Sequence, residues 1–286
     1  MLAGPSRTIG GTDRRPWTFY ALGALFFGYM VFLYGPMAVI YVLSFQGENG
    51  GVTFPMTGFS LVWFADIVKP GQMANVPDSF GRSVALAAII SVITTVVAVA
   101  AGLAFRRPFP GSGAVFYLAV ASLVMPSLLV GFGIGLGFRL FDWKASLFTS
   151  GLGAQLTWTL PFGVLAMFAV VNRFNRSWEE AATDLGASPW QRLRHVTLPI
   201  LMPGIIGVAM GAFTLSYDEY ARTTLTIGQK NTLPLEIYAL ISSATSPMLF
   251  AIGTVTTGLS FLIIGVTVTL ILRMQRRRAA ATLKVG

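Results

Sequence analysis

Six long apolar stretches constrain most strongly what this chain can fold into. Each has at least 20 residues, and together they make up about half of the 286 residues. A helix rises about 1.5 Å per residue, so about 20 residues cross the ~30 Å hydrocarbon core of a bilayer. The stretches are Phe19–Phe45, Val84–Phe105, Gly113–Phe138, Leu147–Val171, Leu198–Tyr217 and Leu249–Leu272. The sequence therefore predicts an all-α integral membrane protein with six transmembrane helices.

The composition excludes most soluble functions. Charged residues are 11% of the chain and hydrophobic residues 54%, whereas a soluble domain carries about a quarter charged residues. There is no cysteine and a single histidine, His195, which excludes disulfides, cysteine nucleophiles and metal sites with several histidines. We therefore expect no catalytic residue and no metal site. A membrane-embedded enzyme would need paired acids with a histidine, and His195 lies in a connector.

The basic residues are unevenly distributed between the two sides of the predicted helices. Of the 20 Lys and Arg, 14 fall on the side of the two termini and six on the other side. Since basic residues accumulate in cytoplasmic segments, we expect both termini to be cytoplasmic. Tails at 1–18 and 273–286 then flank a transmembrane domain at 19–272. The first stretch is too long for a signal-peptide core and is expected to stay as a helix, and the basic C-terminal tail is expected to face anionic lipid, not nucleic acid.

Two connections on the side opposite the termini are not simple loops. Gln46–Ser79 is long and rich in Gly and Pro, and its aromatic segment 59–68 predicts a short helix at the membrane interface. The segment 233–248 is apolar but contains Glu236 and is too short to span, which favours a re-entrant or surface helix.

The third stretch is interrupted by helix-breaking residues. Pro126 lies in its middle, and Gly131, Gly133, Gly135 and Gly137 alternate after it. Each helical glycine costs about 1 kcal/mol relative to alanine, so we expect this end to be unwound. Two interpretations stay open: the segment lines a transport path, or its small residues allow close helix packing.

A connector on the terminal side, residues 177–199, predicts two short helices joined by a turn. Ser177 with Glu180 matches a capping box at the first helix. Gly186 can adopt the left-handed conformation that ends a helix. Ser188 precedes a proline, a pair typical of a second helix start. We call this segment the hairpin; it is either a docking surface for another protein or an ordinary capped connector.

A motif inside the hairpin favours docking. The spacing Glu180-Ala181-Ala182, Gly186, Val196 and Leu198-Pro199 resembles the EAA motif of ABC-importer permeases, E-A-A-x3-G-x9-I-x-L-P, with Val196 in place of isoleucine. Pro199 is expected to mark the return into the membrane. The segments 215–220 and 232–238 are similar to those of spermidine/putrescine-type permeases.

The resemblance implies a type I importer fold and a set of partners. These are two copies of an ABC ATPase that bind ATP and Mg, a second homologous permease expected to be a different chain, and an external solute-binding protein. The chain itself has no Walker A sequence, and we expect it to be a non-enzymatic subunit without a cofactor in the bacterial inner membrane. The ATPase-coupling candidates are Glu179, Glu180, Ala181, Ala182, Asp184, Gly186, Ala187, Ser188 and Pro189.

Acidic and aromatic residues at the end of the fifth stretch are candidates for solute contact. Asp218 and Glu219 lie there, and carboxylates with aromatic rings suit an amine cation. We therefore expect a polyamine or a related cationic or zwitterionic amine. Alternatively, the two acids lie in interfacial water or pair with Arg222. The candidate path residues are Asp218, Glu219, Tyr217, Tyr220, Phe213 and Trp158.

An ion-gradient-driven secondary transporter is the alternative function. Such transporters also have broken helices and buried acids. They should show a repeated hydropathy pattern and acids near the middle of the spans, and this sequence has neither.

Overall fold

The computed structural model describes residues 16–69, 75–107, 109–243 and 246–282. The described part is helical, apart from turns and one isolated β-bridge between Gln46 and Phe59. The helices are α1 (Trp17–Leu43), α2 (Val62–Asp66), α3 (Val76–Ala104), α4 (Ser112–Val124), α5 (Ser127–Leu140), α6 (Leu152–Asn172), α7 (Ser177–Asp184), α8 (Pro189–Arg192), α9 (Leu198–Tyr217), α10 (Leu233–Ser243) and α11 (Met248–Thr282). Most of the predicted tail 1–18, and the last residues of 273–286, lie outside the described residues.

Five helical segments are long and apolar enough to cross a membrane, and the bent pair α4–α5 makes a sixth. This agrees with the six predicted spans, although their ends differ. Helix α3 begins at Val76, eight residues before the predicted start. The side chain of Asn75 caps it by accepting a hydrogen bond from the N–H of Asp78, and Pro77 occupies the first turn. The polar first turns therefore extend the helix beyond the apolar stretch.

The third span is broken at Pro126, and the predicted unwinding of the glycine segment is wrong. Met125 is extended, with ψ 131°, and α4 and α5 meet at 101°. A proline disfavours the helical conformation of the residue before it. Helix α5 runs through all four glycines. A Cβ at Gly131 would lie 2.8 Å from the carbonyl oxygen of Arg222, so the small residues permit close packing.

Helices α3, α6 and α9 pack against one another and form the centre of the molecule. One apolar cluster among them contains Ala98, Met167, Val171, Leu201 and Val208. Helix α1 packs against α11, and Leu43 is the one residue of α1 that is buried. The exposed apolar side chains of α1 therefore remain available for lipid or for another subunit.

The fifth span is longer than its apolar stretch. A π-helical turn at Leu193–Thr197 joins α8 to α9, so the chain is helical from Pro189 to Tyr217. Pro199, expected to mark the return into the membrane, lies in the first turn of α9, inside this continuous helical segment. The π turn ends at Thr197, two residues before this proline, which cannot donate a main-chain hydrogen bond. We call the side of the bundle where α3 and α6 end and α9 begins the hairpin end.

The two unusual connections are helical in part, as predicted. Helix α2 lies within the segment 59–68, and the indole N–H of Trp63 donates to the carbonyl of Gln46 at 2.8 Å. Helix α10 lies in 233–248, is too short to span and packs against α3 and α11. The carboxylate of Glu236 accepts hydrogen bonds from the N–H of Asn75 and the side chain of Asn231.

Candidate functional site

The hairpin has the predicted turn but only one of the two predicted caps. Gly186 has φ +82°, which ends α7 in the left-handed conformation. Ser188 and Gln191 form a reciprocal capping box at the start of α8. The expected box of Ser177 with Glu180 is wrong, because Ser177 already lies in the first turn of α7. Its N–H instead donates to the side-chain oxygen of Asn175 at 3.1 Å.

A polar clasp fastens the hairpin to the transmembrane bundle. The guanidinium of Arg106, just after α3, donates to both carboxylate oxygens of Glu179 at 2.8 Å. The buried hydroxyl of Thr197, in the π turn, also donates to Glu179. Arg106 lies over the ring of Phe174, 4.9 Å from its centre. One carboxylate therefore holds together the end of α3, helix α7 and the start of the fifth span.

The clasp keeps Glu179 ionised. The hydrogen bond from Arg106 lowers the pKa of Glu179 below its ordinary value of 4.5, and the Thr197 hydroxyl and the charges of Arg106 and Arg192 act in the same direction. Burial acts in the opposite direction but does not prevail. The bidentate ion pair is therefore fully formed at neutral pH.

The outer face of the hairpin presents large apolar side chains to solvent. Trp178, Leu185 and Trp190 are 57%, 88% and 64% exposed. Glu180 and Ala181 are also exposed, and Glu180 has no ion pair within the described residues. We call these five residues the hairpin surface. Large exposed apolar side chains are typical of a surface that contacts another protein or a membrane.

The remaining coupling candidates differ in exposure. Asp184, Gly186, Ser188 and Pro189 are exposed, and Ala182 and Ala187 are half-buried. Glu179 is also half-buried, and its carboxylate points into the clasp instead of toward solvent. The sequence did not point to Arg106, which is 73 residues from Glu179 along the chain, or to Thr197 at the other end of the hairpin. It also did not point to the three large apolar residues, whose only signal was their position in an otherwise polar segment.

A second polar cluster lies at the opposite end, where α9 ends. Glu219 and Arg222 are 7% and 2% exposed, and their side chains are 3.5 Å apart. Arg222 also donates to the hydroxyl of Ser127 at 2.7 Å and lies over the ring of Trp158 at 4.9 Å. Two of the path candidates, Glu219 and Trp158, therefore both contact Arg222. The alternative of an ion pair with Arg222 holds for Glu219.

The other path candidates lie in different surroundings. Tyr217 is buried in an apolar cluster with its ring stacked on Phe213, 6.1 Å between centres. Tyr220 packs on Tyr238 at 4.9 Å. Asp218 is exposed at the end of α9. Within the described residues, no three acidic or histidine side chains are close enough to hold a metal ion.

Comparison with known proteins agrees with these features. The family model described as binding-protein-dependent transport system inner membrane component matches residues 94–280. The chain is 28% identical over 254 residues to the putrescine transport system permease protein PotI of Escherichia coli (strain K12), covering 86% of this chain and 87% of that protein. It is 29% identical over 266 residues to the putative 2-aminoethylphosphonate transport system permease protein PhnV of Salmonella paratyphi A, covering 89% and 92%.

A solved structure shows the same fold. One chain of a bacterial ABC transporter involved in the import of the acidic polysaccharide alginate superimposes with a TM-score of 0.62 at 15% identity. The match covers 91% of this chain and 96% of that chain. The EAA motif indicated an ABC-importer permease, and the segments 215–220 and 232–238 indicated the spermidine/putrescine type. Both resemblances are confirmed, by the family match and by the PotI relative.

Proposed function

The chain belongs to the family of binding-protein-dependent transport system inner membrane components, and from this premise we propose that its hairpin surface binds an ABC ATPase. The observation that carries the proposal is the combination of an exposed apolar surface with a rigid attachment. Trp178, Leu185 and Trp190 face outward, while the clasp on Glu179 holds the other face of α7 to the bundle. A partner that moves this surface would therefore move the bundle.

The attachment suggests how ATP drives transport. Two ATPase subunits that close on ATP would draw together the hairpins of this chain and of a second, homologous permease. Since the chain is helical without a break from Pro189 to Tyr217, displacement of α8 passes directly into the fifth span. The spans then rock between inward-open and outward-open states, with the solute delivered by an external binding protein. This chain does no covalent chemistry.

We further propose that the solute is a polyamine or a related cationic or zwitterionic amine. Putrescine and 2-aminoethylphosphonate, in the names of the two relatives, both carry a primary amine. In this chain, the exposed carboxylate of Asp218 and the ring of Tyr220 lie at the end of α9, and such groups suit an ammonium ion. Both termini would lie in the cytoplasm of a bacterial cell.

The experiment is uptake by the assembled transporter in vesicles, with ATPase co-purification measured in parallel. Glu180→Lys and Gly186→Pro are expected to abolish ATP-dependent uptake, because the first reverses a charge on the hairpin surface and the second cannot adopt φ +82°. Glu48→Lys is the matched control, because it makes the same charge reversal at an exposed acid of the opposite end. It should leave the amount of co-purified ATPase unchanged.

Two results would overturn the proposal. One is normal uptake by both hairpin variants. The other is vanadate-insensitive counterflow by the chain alone, without ATP, which an ion-gradient-driven transporter would show.

A further inference from the structure

Two neighbouring cavities at the hairpin end share one wall residue, Arg107. The first is polar, has a volume of about 260 Å³ and is lined by Leu103, Ala104, Arg106, Arg107, Arg176 and Glu179. The second is an aromatic groove of about 430 Å³, lined by Phe105, Arg107, Ser112, Gly113, Phe116, Tyr117 and Phe168. A polar cavity beside an aromatic groove matches a ligand with a charged head and an apolar tail.

The polar cavity has an excess of positive charge. Glu179 neutralises Arg106 through the bidentate ion pair. Arg176 donates to the main-chain carbonyl of Arg106, which does not cancel its charge. Arg107 is exposed, and neither Arg107 nor Arg176 has an acidic partner among the residues that the structure describes. The cavity therefore presents two uncompensated guanidinium groups, which suit an anion with several oxygens.

The groove offers apolar surface next to these charges. Phe168 packs against Phe105 and Phe116, with ring centres 6.1 Å and 5.7 Å apart. Tyr117 is 73% exposed. These residues belong to the ends of α3, α4 and α6, at the level where spanning helices leave the hydrocarbon core. A membrane lipid is present there at high local concentration.

We propose that these two cavities bind one anionic phospholipid of the leaflet at the hairpin end. Its phosphate would lie between Arg107 and Arg176, and one acyl chain would occupy the aromatic groove. Basic pockets between transmembrane helices bind anionic head groups by the same chemistry. The bound lipid would lie beside the clasp that holds the hairpin, so the lipid composition would affect how firmly the hairpin is attached. The proposal requires only that the chain spans a membrane, not that an ATPase binds it.

The test is a lipid titration of the purified transporter in detergent, with bound lipid counted by native mass spectrometry. Phosphatidylglycerol and phosphatidylcholine with identical acyl chains are the two probes. The wild-type protein is expected to bind phosphatidylglycerol more tightly than phosphatidylcholine. Arg107→Gln should weaken the binding of phosphatidylglycerol about fivefold. Tyr117→Ser should weaken it as well, because it removes a ring that lines the groove. The fold should tolerate this change, since the ring is 73% exposed.

The matched control is Arg173→Gln, which removes the same charge from an exposed residue at the same end that lines neither cavity. It should bind phosphatidylglycerol as the wild-type protein does. Inorganic phosphate should not displace the lipid, since phosphate cannot fill the groove. Equal weakening by the Arg107 and Arg173 variants, unchanged binding in Arg107→Gln, or displacement by inorganic phosphate would each overturn the proposal.

Discussion

Glu179 and Glu180 are adjacent in the chain, but their carboxylates lie in different surroundings. Glu179 accepts two hydrogen bonds from Arg106 and one from Thr197, whereas Glu180 is exposed on the hairpin surface. Charge-assisted bidentate pairs are the stronger kind of ion pair. At the scale of single residues, one acid of this pair therefore holds the fold, and its neighbour is exposed on the surface where we propose that the ATPase binds.

Replacing each acid by its amide separates these two roles. Glu179→Gln leaves the partly buried guanidinium of Arg106 without its counter-charge and is expected to lower the free energy of unfolding by about 1–2 kcal/mol. Glu180→Gln should leave the thermal unfolding midpoint of the purified protein unchanged. Equal midpoints for the two variants would contradict the clasp.

The pH dependence of stability follows from the same carboxyl. Because its folded-state pKa lies below the ordinary 4.5, the ion pair contributes fully above that ordinary value. The contribution declines as the pH falls through the folded-state pKa. The difference in unfolding midpoint between wild type and Glu179→Gln should be constant near neutral pH and shrink below about pH 4.5. A difference that widens on acidification would contradict this sign.

At the scale of elements, helix α5 packs against the chain that follows α9. A Cβ at Gly131 would lie 2.8 Å from the carbonyl oxygen of Arg222, and one at Gly135 would lie 2.6 Å from that of Leu225. Gly133, on another face, has nothing within 4 Å. Glycines four residues apart therefore form the contact face of this broken span.

Alanine substitutions along α5 test this contact face. Gly131→Ala must displace a main-chain carbonyl and is expected to destabilise the protein by about 1–3 kcal/mol. Gly133→Ala meets open space and should be neutral or slightly stabilising, since alanine favours a helix. Thermal unfolding of the two variants measures the difference, and a Gly133 variant as unstable as the Gly131 variant would argue against the packing.

At the scale of the whole molecule, the two polar clusters lie at opposite ends of the bundle. The clasp is at the hairpin end, where α6 ends, and the Glu219–Arg222 pair is where α9 ends. The excess of basic residues at the hairpin end predicts that this end faces the cytoplasm. The other end would then meet the solute.

Single cysteines can test this orientation, because the chain has none of its own. Lys144→Cys, exposed just before α6, should react with a membrane-impermeant maleimide in intact cells. Arg173→Cys, exposed at the end of α6 and outside the hairpin, should react only in inside-out vesicles. The cysteine-free protein gives the background, and the opposite labelling pattern would reverse the topology.

Local patterns in the sequence were enough to predict the helices and the turn of the hairpin. Apolar length determines which segments span, because hydrocarbon thickness and helical rise are constant. Gly186 and Ser188 specify a helix end and a helix start through their own conformational preferences. Even the break at Pro126 is a local effect, and the error was to predict unwinding in the glycines, which are helical within α5.

Only the tertiary structure decided which side chains meet. Arg106 and Glu179 are 73 residues apart, and Ser127 and Arg222 are 95 apart, so no spacing rule relates them. The same holds for the cavities on either side of Arg107, whose walls come from several segments. Helices form from interactions within a few residues, whereas ion pairs and cavities depend on how whole helices pack.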